Sequence, residues 1–195
     1  ALALVWQQYT HSLEQRQAQV QQAVETASGV LVWAQQQEAQ GQLSRAQAQA
    51  MAHSAIARMR YGDNEYFWIN DMQGTMVMHP IKPELNGKPS STIRDANGLL
   101  VTAEVARIAN QSGQGFFSYV WPHPGETESV EKISYARTFA PWGWVVASGL
   151  YIDDLQQDFM HNLIKVAGGV LAVLLLIGGI AWFISSSIVQ GVQRA

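Results

Sequence analysis

The sequence contains no cysteine, few charges and no run of basic residues. Cysteine is absent from all 195 residues, which excludes disulfides, thiol catalysis and zinc sites with cysteine ligands. Charged residues make up 14% of the chain and its formal net charge is −3. Nucleic acid is therefore not an expected partner, because binding to phosphates requires a basic patch. The five histidines are scattered without metal-ligand spacing, so neither a metal site nor a cofactor is expected.

Motifs of known enzyme classes are also missing. The chain has no glycine-rich phosphate loop and no nucleophile motif. The acidic pair Asp153 and Asp154 stands at the predicted start of a helix, where capping explains it better than paired-carboxylate chemistry. We therefore expect a binding module and not an enzyme.

One long apolar segment, residues 166–184, carries no charge. A helix of this length covers about 28 Å, close to the hydrocarbon core of a bilayer. A buried core helix is the alternative, but such helices rarely run so far without a polar face. We interpret the apolar start, residues 1–6, as the end of a first membrane helix, with a frayed apolar terminus as the alternative. The charges that flank the second span do not fix its orientation.

Two helices are predicted before the first strand. Residues 7–42 have apolar side chains at spacings of three and four, which predicts one long amphipathic helix that ends near Gly41. Ser44 and Gln47 match a capping box, so a second helix is expected to begin at Ser44 and to end at Gly62.

The rest of the chain predicts a small antiparallel sheet. Aromatic and β-branched runs with short turns between them indicate a hairpin and then a three-stranded meander. A long loop, residues 80–98, and a helix, residues 99–112, connect the two parts. The fold class is α+β. The predicted strands are 66–69, 75–79, 116–121, 130–139 and 144–151.

Three segments resemble the single Cache sensor domains of bacterial methyl-accepting chemotaxis proteins. They are YFWINDMQGTMVMHP at 66–80, LNGKPSSTIRDANG at 85–98 and KISYARTFAPWGWVVASGLYIDDL at 132–155. The tail at 185–189 resembles the entry to a HAMP linker, although Gln-Gly-Val at 190–192 stands where a proline is expected.

This resemblance implies a PAS-like five-stranded antiparallel sheet with a long N-terminal helix, followed by a transmembrane helix. It further implies a periplasmic sensor on the bacterial inner membrane, a homodimer, and a pocket for a C2–C4 mono- or dicarboxylate. A cytoplasmic signalling region and a kinase complex would then follow beyond residue 195. A histidine kinase or other transducer behind the same sensor, or a ligand-free dimerisation module, is the alternative. The expected boundaries are 1–6 for the first membrane helix, 7–162 for the sensor, 163–185 for the second membrane helix and 186–195 for the HAMP-like linker.

Lys132 is the first candidate ligand contact. It lies in a predicted strand among apolar and hydroxyl residues, so its side chain either extends to solvent or points into a cavity with a partner. His79, at a strand end before Pro80, is a structural histidine or a donor to a carboxylate. The resemblance supports the ligand role for both Lys132 and His79.

Aromatic residues on alternate positions are expected to form the pocket walls. Tyr66 and Trp68 share one strand face, as do Tyr119 and Trp121, although core packing is the more common role of strand aromatics. Tyr135 is a further candidate, but a regular strand sends it and Lys132 to opposite faces unless a bulge intervenes. Arg94, in the long loop, either closes over the ligand or pairs with its neighbour Asp95.

Overall fold

The structure is a computed structural model that describes the backbone of residues 2–62 and 64–192, with side chains up to residue 179. It contains two compact units. One is Ser12–Asp153; the other combines the beginning of the chain, up to His11, with the segment from Asp154 onward. Ala1 of the predicted first span and residues 193–195 of the predicted HAMP-like linker lie outside the described residues.

The two predicted N-terminal helices are present. Helix α1 is Leu2–Ala39, and its buried stripe includes Val20, Val24 and Leu31, as the spacing predicts. Helix α2 is Arg45–Arg58. It begins with the predicted capping box: the hydroxyl of Ser44 accepts a hydrogen bond from the Gln47 N–H, and Gln47 Oε1 accepts one from the Ser44 N–H.

The predicted end of the second helix at Gly62 is wrong. Helix α2 ends at Arg58, and a two-residue strand β1, Arg60–Tyr61, follows it and pairs with strand β2, Glu65–Asp71. A strand of two residues is too short to produce a periodic signal, so the sequence pattern merged it with the helix.

The sheet is antiparallel, and its main order is β1-β2-β6-β5-β4, with β3 beside β2. The hairpin β2–β3 and the meander β4–β5–β6 both agree with the prediction, and β1 adds a short sixth strand to the predicted five. The remaining strands are β3 at Met76–Met78, β4 at Gln114–Pro122, β5 at Ser129–Phe139 and β6 at Trp144–Tyr151.

The long loop leads into helix α3, Val101–Ser112. Two short 3₁₀ turns, Pro83–Leu85 and Ser90–Thr92, divide this loop. Gly74, in the β2–β3 turn, approaches α3 so closely that a Cβ atom there would lie 2.6 Å from the Thr102 carbonyl oxygen. The loop and α3 thereby cover one face of the sheet.

The two faces of the sheet have separate cores. On one face, Phe67, Ile69 and Val146 pack with the buried stripes of α1 and α2. On the other face, Trp68 and Ala147 pack with α3 and the loop. Because neighbouring residues of a strand point to opposite faces, strands β2, β5 and β6 each contribute to both cores.

Helix α4 is Asp153–Val192. Among the described residues, one helical segment, Asp153–Gly179, is long and apolar enough to cross a membrane, and none of its most apolar window is buried. That exposure argues against the alternative of a buried core helix. In the same compact unit, Phe159 contacts Trp6 and Tyr9, with ring centroids 5.9 and 4.9 Å away.

Candidate ligand-binding site

Lys132 lies on the sheet face that packs against α3, opposite the end of β6. On β5 it is directly opposite Tyr119 of β4 and Tyr151 of β6. Directly opposite residues of antiparallel strands point to the same face, so these three side chains lie together. The Lys132 Nζ atom is 4.2 Å from the ring centre of Tyr66 on β2 and 4.1 Å from that of Tyr151.

The ammonium group of Lys132 has no hydrogen-bond acceptor among the described residues. Its side chain is 0% exposed, and Oε2 of Glu65 lies 3.9 Å from Nζ, beyond hydrogen-bond distance. The two tyrosine rings stabilise the cation through their negative faces. Burial lowers the pKa of Lys132 well below its ordinary value, and the charge of Glu65 opposes that shift. A buried ammonium group in these surroundings is stabilised by an anion that supplies acceptor oxygens.

Gly149 provides the space for the Lys132 side chain. It lies on β6 opposite Ser134 of β5. A Cβ atom at position 149 would overlap the Ser134 hydroxyl oxygen and would lie 2.9 Å from Cε of Lys132. Real Cβ atoms essentially never approach other atoms this closely. A glycine is therefore required for Lys132 to adopt its observed position.

His79 is buried beside the lysine and carries no charge at neutral pH. Burial, together with the positive charges of Lys132 and Lys82, lowers the pKa of His79 to about 3. Its Nδ1 atom accepts hydrogen bonds from the backbone N–H groups of Ile81 and Lys82, at 3.3 and 3.0 Å. The ring proton of the neutral imidazole is therefore on Nε2, which makes Nε2 a hydrogen-bond donor.

A small cavity of about 10 Å³ lies on this face. This volume holds about one water molecule, so a ligand of a few heavy atoms must displace some of the side chains that line the cavity. The indole N–H of Trp68 is buried and has no acceptor among the described residues. The lining residues are Trp68, Met76, His79, Ile93, Val101, Tyr119 and Trp121.

The tyrosines of this face are neutral hydroxyl donors. Burial raises the pKa of Tyr66 to about 12 and also raises the pKa values of Tyr119 and Tyr151. Tyr119 OH accepts a hydrogen bond from Ser134 at 3.4 Å, and Tyr151 OH donates one to the carbonyl oxygen of Pro122 at 2.7 Å. The site therefore combines neutral hydrogen-bond donors with the buried amino group of Lys132.

Tyr135 lies on the opposite face of the sheet. The pairing of β5 with β6 continues without a shift from Lys132 to Phe139, so no bulge changes the alternation between Lys132 and Tyr135. Tyr135 belongs to the core beneath α1 and α2, and its ring centroid is 4.7 Å from that of Phe116. The structure does not bring it to the cavity.

Arg94 is exposed on the loop. Its guanidinium group donates a hydrogen bond to the carbonyl oxygen of Gly98 at 3.3 Å. Asp95 accepts hydrogen bonds from the backbone N–H groups of Leu99 at 2.8 Å and Val120 at 3.1 Å. Asp95 therefore stabilises the loop through backbone contacts, and Arg94 does not line the cavity.

Six of the eight predicted contact residues are thus brought together, and three further residues were missed. Tyr151 and Gly149 become recognisable only once the register of β5 with β6 is known, because they lie opposite Lys132 and Ser134. Glu65 stands at the start of β2 and gives no periodic signal. The six that share the face are Lys132, His79, Tyr66, Trp68, Tyr119 and Trp121.

This arrangement favours the binding of a small anion. The donors come from an ammonium group, an indole, an imidazole and phenols. Within the described part of the chain, no group of three or more acidic or histidine side chains is placed to hold a metal ion.

The fold and the cavity define a small-molecule-binding domain of PAS-like architecture. The chain is 41% identical, over 88% of its length, to the methyl-accepting chemotaxis protein McpP of Pseudomonas putida. It spans 32% of the length of that relative. A solved periplasmic sensor domain of a chemotaxis protein matches 72% of this chain and 98% of its own, with 45% identity and a TM-score of 0.70.

A second solved structure is a Cache chemosensory domain that was analysed for carboxylic acid recognition. It matches 74% of this chain and 98% of its own, with 41% identity and a TM-score of 0.70. The profile of the single Cache domain 2 family matches residues 12–165. The chain therefore belongs to the single Cache domain 2 family. Its sensor unit is a ligand-binding module and not an enzyme.

Proposed function

We propose that this chain is the periplasmic sensor region of an inner-membrane chemoreceptor, and that the cavity beside Lys132 binds a C2–C4 organic acid. The observation that carries the proposal is the buried Lys132 ammonium group, which lacks a hydrogen-bond acceptor among the described residues. A carboxylate supplies two acceptor oxygens and a compensating charge. The similar Cache domain analysed for carboxylic acid recognition supports this ligand class.

The site favours a monocarboxylate over a dicarboxylate. The carboxylate is expected to contact Lys132, His79 and Trp68, while Met76 and Ile93 surround its carbon chain. A second carboxylate placed against these apolar side chains would lose its hydration, which is unfavourable. The predicted role of Arg94 as a second cation would require the loop to move. Tyr66, Tyr119 and Trp121 form the walls.

Tyr151 provides a route from the site to the output helix. Its ring contacts Lys132, and its carbonyl oxygen accepts a hydrogen bond from Arg16 of α1 at 3.1 Å. His123 stacks on the same ring and lies 3.3 Å from Asp153, the first residue of α4. A ligand that changes the position of Lys132 is expected to act on these contacts, provided that its affinity differs between the signalling states.

The membrane arrangement follows from the same proposal. The segment 163–185 is the second membrane helix, residues 1–6 end the first, and 7–162 form the periplasmic sensor. Residues 186–195 begin a HAMP-like linker to a cytoplasmic signalling region and its kinase complex. We further propose a homodimer through α1, where Trp33 and Val32 are 50% and 44% exposed.

Isothermal titration calorimetry of the whole chain in lipid nanodiscs tests the ligand class. Acetate, propionate, pyruvate, lactate, succinate and malate are titrated, with glucose and methylamine as controls. We expect binding of monocarboxylates, weaker binding of dicarboxylates and none of the controls. Binding of the controls instead of the acids would contradict the carboxylate class. Absence of all binding would favour a ligand-free dimerisation module.

A further inference from the structure

Glu65 is placed to act on Lys132 without occupying its hydrogen bonds. Oε2 of Glu65 lies 3.9 Å from Nζ of Lys132, and the two side chains are 11% and 0% exposed. We propose that Glu65 helps to keep Lys132 in its charged form, so that the site accepts a carboxylate up to about neutral pH. Glu65 is then a positioning residue for charge and does not contact the ligand. The effect on binding rests on the proposed function.

Burial alone favours the neutral amine of Lys132. A fully buried ammonium group loses its hydration, and the loss disfavours the charged form. An opposite charge within about 4–6 Å has the reverse effect. Glu65 is the group whose charge counters the burial of Lys132.

The other groups around Lys132 do not replace this carboxylate. The phenols are neutral because burial raises their pKa values, and His79 is neutral because burial lowers its pKa. Lys82 is a cation, and its Nζ lies 4.7 Å from the ring centre of Trp121. The titratable groups that face Lys132 are Glu65 and Tyr66 from β2, His79 after β3, Tyr119 from β4 and Tyr151 from β6.

The distance of 3.9 Å between Glu65 Oε2 and Lys132 Nζ leaves the hydrogen-bond donors of Lys132 available to a ligand. A direct hydrogen-bonded ion pair would use a donor of Lys132 and would compete with a bound carboxylate. At the observed distance the attraction between the charges persists, while the hydrogen bonds of Nζ remain for a ligand. The same charge also repels a carboxylate ligand. Removal of the Glu65 charge is therefore expected to strengthen binding at low pH and to weaken it at high pH.

The effect of Glu65 on carboxylate binding should depend on pH in a defined direction. A carboxylate binds the protonated lysine, so binding must take up a proton wherever the free domain has a neutral Lys132. In that range the dissociation constant rises up to about tenfold per pH unit. With Glu65 present, this rise begins at a higher pH. With Glu65→Gln, it begins at a lower pH, because burial then acts without an opposing charge.

A direct titration of Lys132 tests the proposal without any ligand. The chain has four lysines, Lys82, Lys88, Lys132 and Lys165, so selective ¹³Cε labelling gives a small number of NMR signals. The signal that disappears in Lys132→Met is that of Lys132. We expect its titration midpoint to fall by about one to three pH units in Glu65→Gln, as for loss of a nearby opposite charge.

Two variants serve as controls for this titration. Glu131→Gln removes the same charge from an exposed side chain next to Lys132 and should leave the midpoint unchanged. Glu65→Asp retains the charge and should restore most of the wild-type midpoint. Equal midpoints in the wild type and Glu65→Gln would overturn the proposal, as would an equal fall in Glu131→Gln.

Calorimetry with propionate between pH 6 and pH 9 tests the consequence for binding. We expect the dissociation constant of Glu65→Gln to rise more steeply with pH than that of the wild type, with greater proton uptake in buffers of different ionisation enthalpy. Parallel pH profiles would overturn the proposed effect on binding. If the wild type binds no acid, the proposed function fails, while the lysine titration still decides the role of Glu65.

Discussion

The two faces of the sheet differ in chemistry although they alternate along the same strands. The face beneath α1 and α2 is filled mainly by aliphatic and aromatic side chains, such as Leu31, Ile69 and Val146, all 0% exposed. The face beneath α3 buries an ammonium group and an indole without acceptors among the described residues. The first face stabilises the fold, and the second retains polar groups that a well-packed core would exclude.

This difference indicates that the face beneath α3 is less well packed because its polar groups are available to a ligand. Buried polar atoms without partners are uncommon in native proteins and require an explanation. On β5, Tyr135 and Phe139 complete one core, while Lys132 and Ser134 leave polar atoms in the other. Substitutions on the two faces should therefore affect different properties of the protein.

Loss of the Lys132 charge should have the largest effect on binding. Lys132→Met replaces the ammonium group by an apolar side chain of similar length, and carboxylate affinity should fall about 30- to 5,000-fold, or about 2–5 kcal/mol. Calorimetry with propionate measures the change, and circular dichroism checks the fold. Lys88→Met, on the exposed loop, is the matched control. Unchanged affinity in Lys132→Met would remove this residue from the site.

A cavity on the opposite face should affect stability alone. Leu31→Ala removes a fully buried side chain from the core of α1 and should lower the free energy of unfolding by about 2–5 kcal/mol. The dissociation constant for propionate should stay within about a factor of two of the wild-type value, because distant sites without shared contacts are coupled only weakly. Chemical denaturation and calorimetry check the two quantities. A large loss of affinity in the folded variant would contradict the separation of the faces.

Protonation of His79 should make the stability of the domain sensitive to acid. The folded pKa is about 3 and the ordinary pKa of histidine is about 6.5, so the unfolded state binds more protons between these values. Stability is then lost as the pH falls through this window, by about 2 kcal/mol at pH 5. Urea denaturation at several pH values should give a shallower loss for His79→Gln. Identical slopes would indicate that the pKa of His79 is not lowered in the folded state.

Replacement of two glycines by alanine should change the stability of the protein in opposite directions. Gly149→Ala, beside Lys132, should cost about 1–3 kcal/mol of stability through overpacking and should also weaken propionate binding. Gly29→Ala, in α1, meets no atom within 4 Å and should stabilise the protein by up to about 1 kcal/mol. Thermal unfolding measures both changes. A neutral Gly149→Ala would mean that Lys132 does not need this space.

The smallest effect on binding is expected at Tyr135, the predicted contact residue that lies on the face opposite the cavity. Tyr135→Phe removes a hydroxyl group from the α1 side and should change propionate affinity by less than about twofold. Tyr119→Phe is the matched change on the α3 side and should weaken binding measurably. If Tyr135→Phe had the larger effect on affinity, the assignment of the cavity to one face would be wrong.

Local patterns account for most of the fold. The capping box at Ser44, the hairpin after Tyr66 and the meander that ends at Tyr151 were all predicted from short stretches of sequence. Each depends on interactions within a few residues. Strand β1 was missed because two residues give no period, and its existence depends on pairing with β2.

The site was predictable to the extent that strand alternation fixes which side chains share a face. Alternation grouped Tyr66 with Trp68 and separated Lys132 from Tyr135. It did not give the register of β5 with β6 or the pairing of β2 with β6, and these bring Tyr151 and Glu65 to Lys132. The position of Arg94 depends on hydrogen bonds within the loop, for which the sequence has no periodic signal.

A crystal structure of the domain with propionate would test the central claim most directly. The account predicts that both carboxylate oxygens lie on the α3 side of the sheet, with at least one within hydrogen-bond distance of Lys132 Nζ, about 2.7–2.9 Å for a charge-assisted bond. The carbon chain should lie towards Met76 and Ile93. Propionate bound at the exposed Arg94, or on the side of α1 and α2, would contradict it.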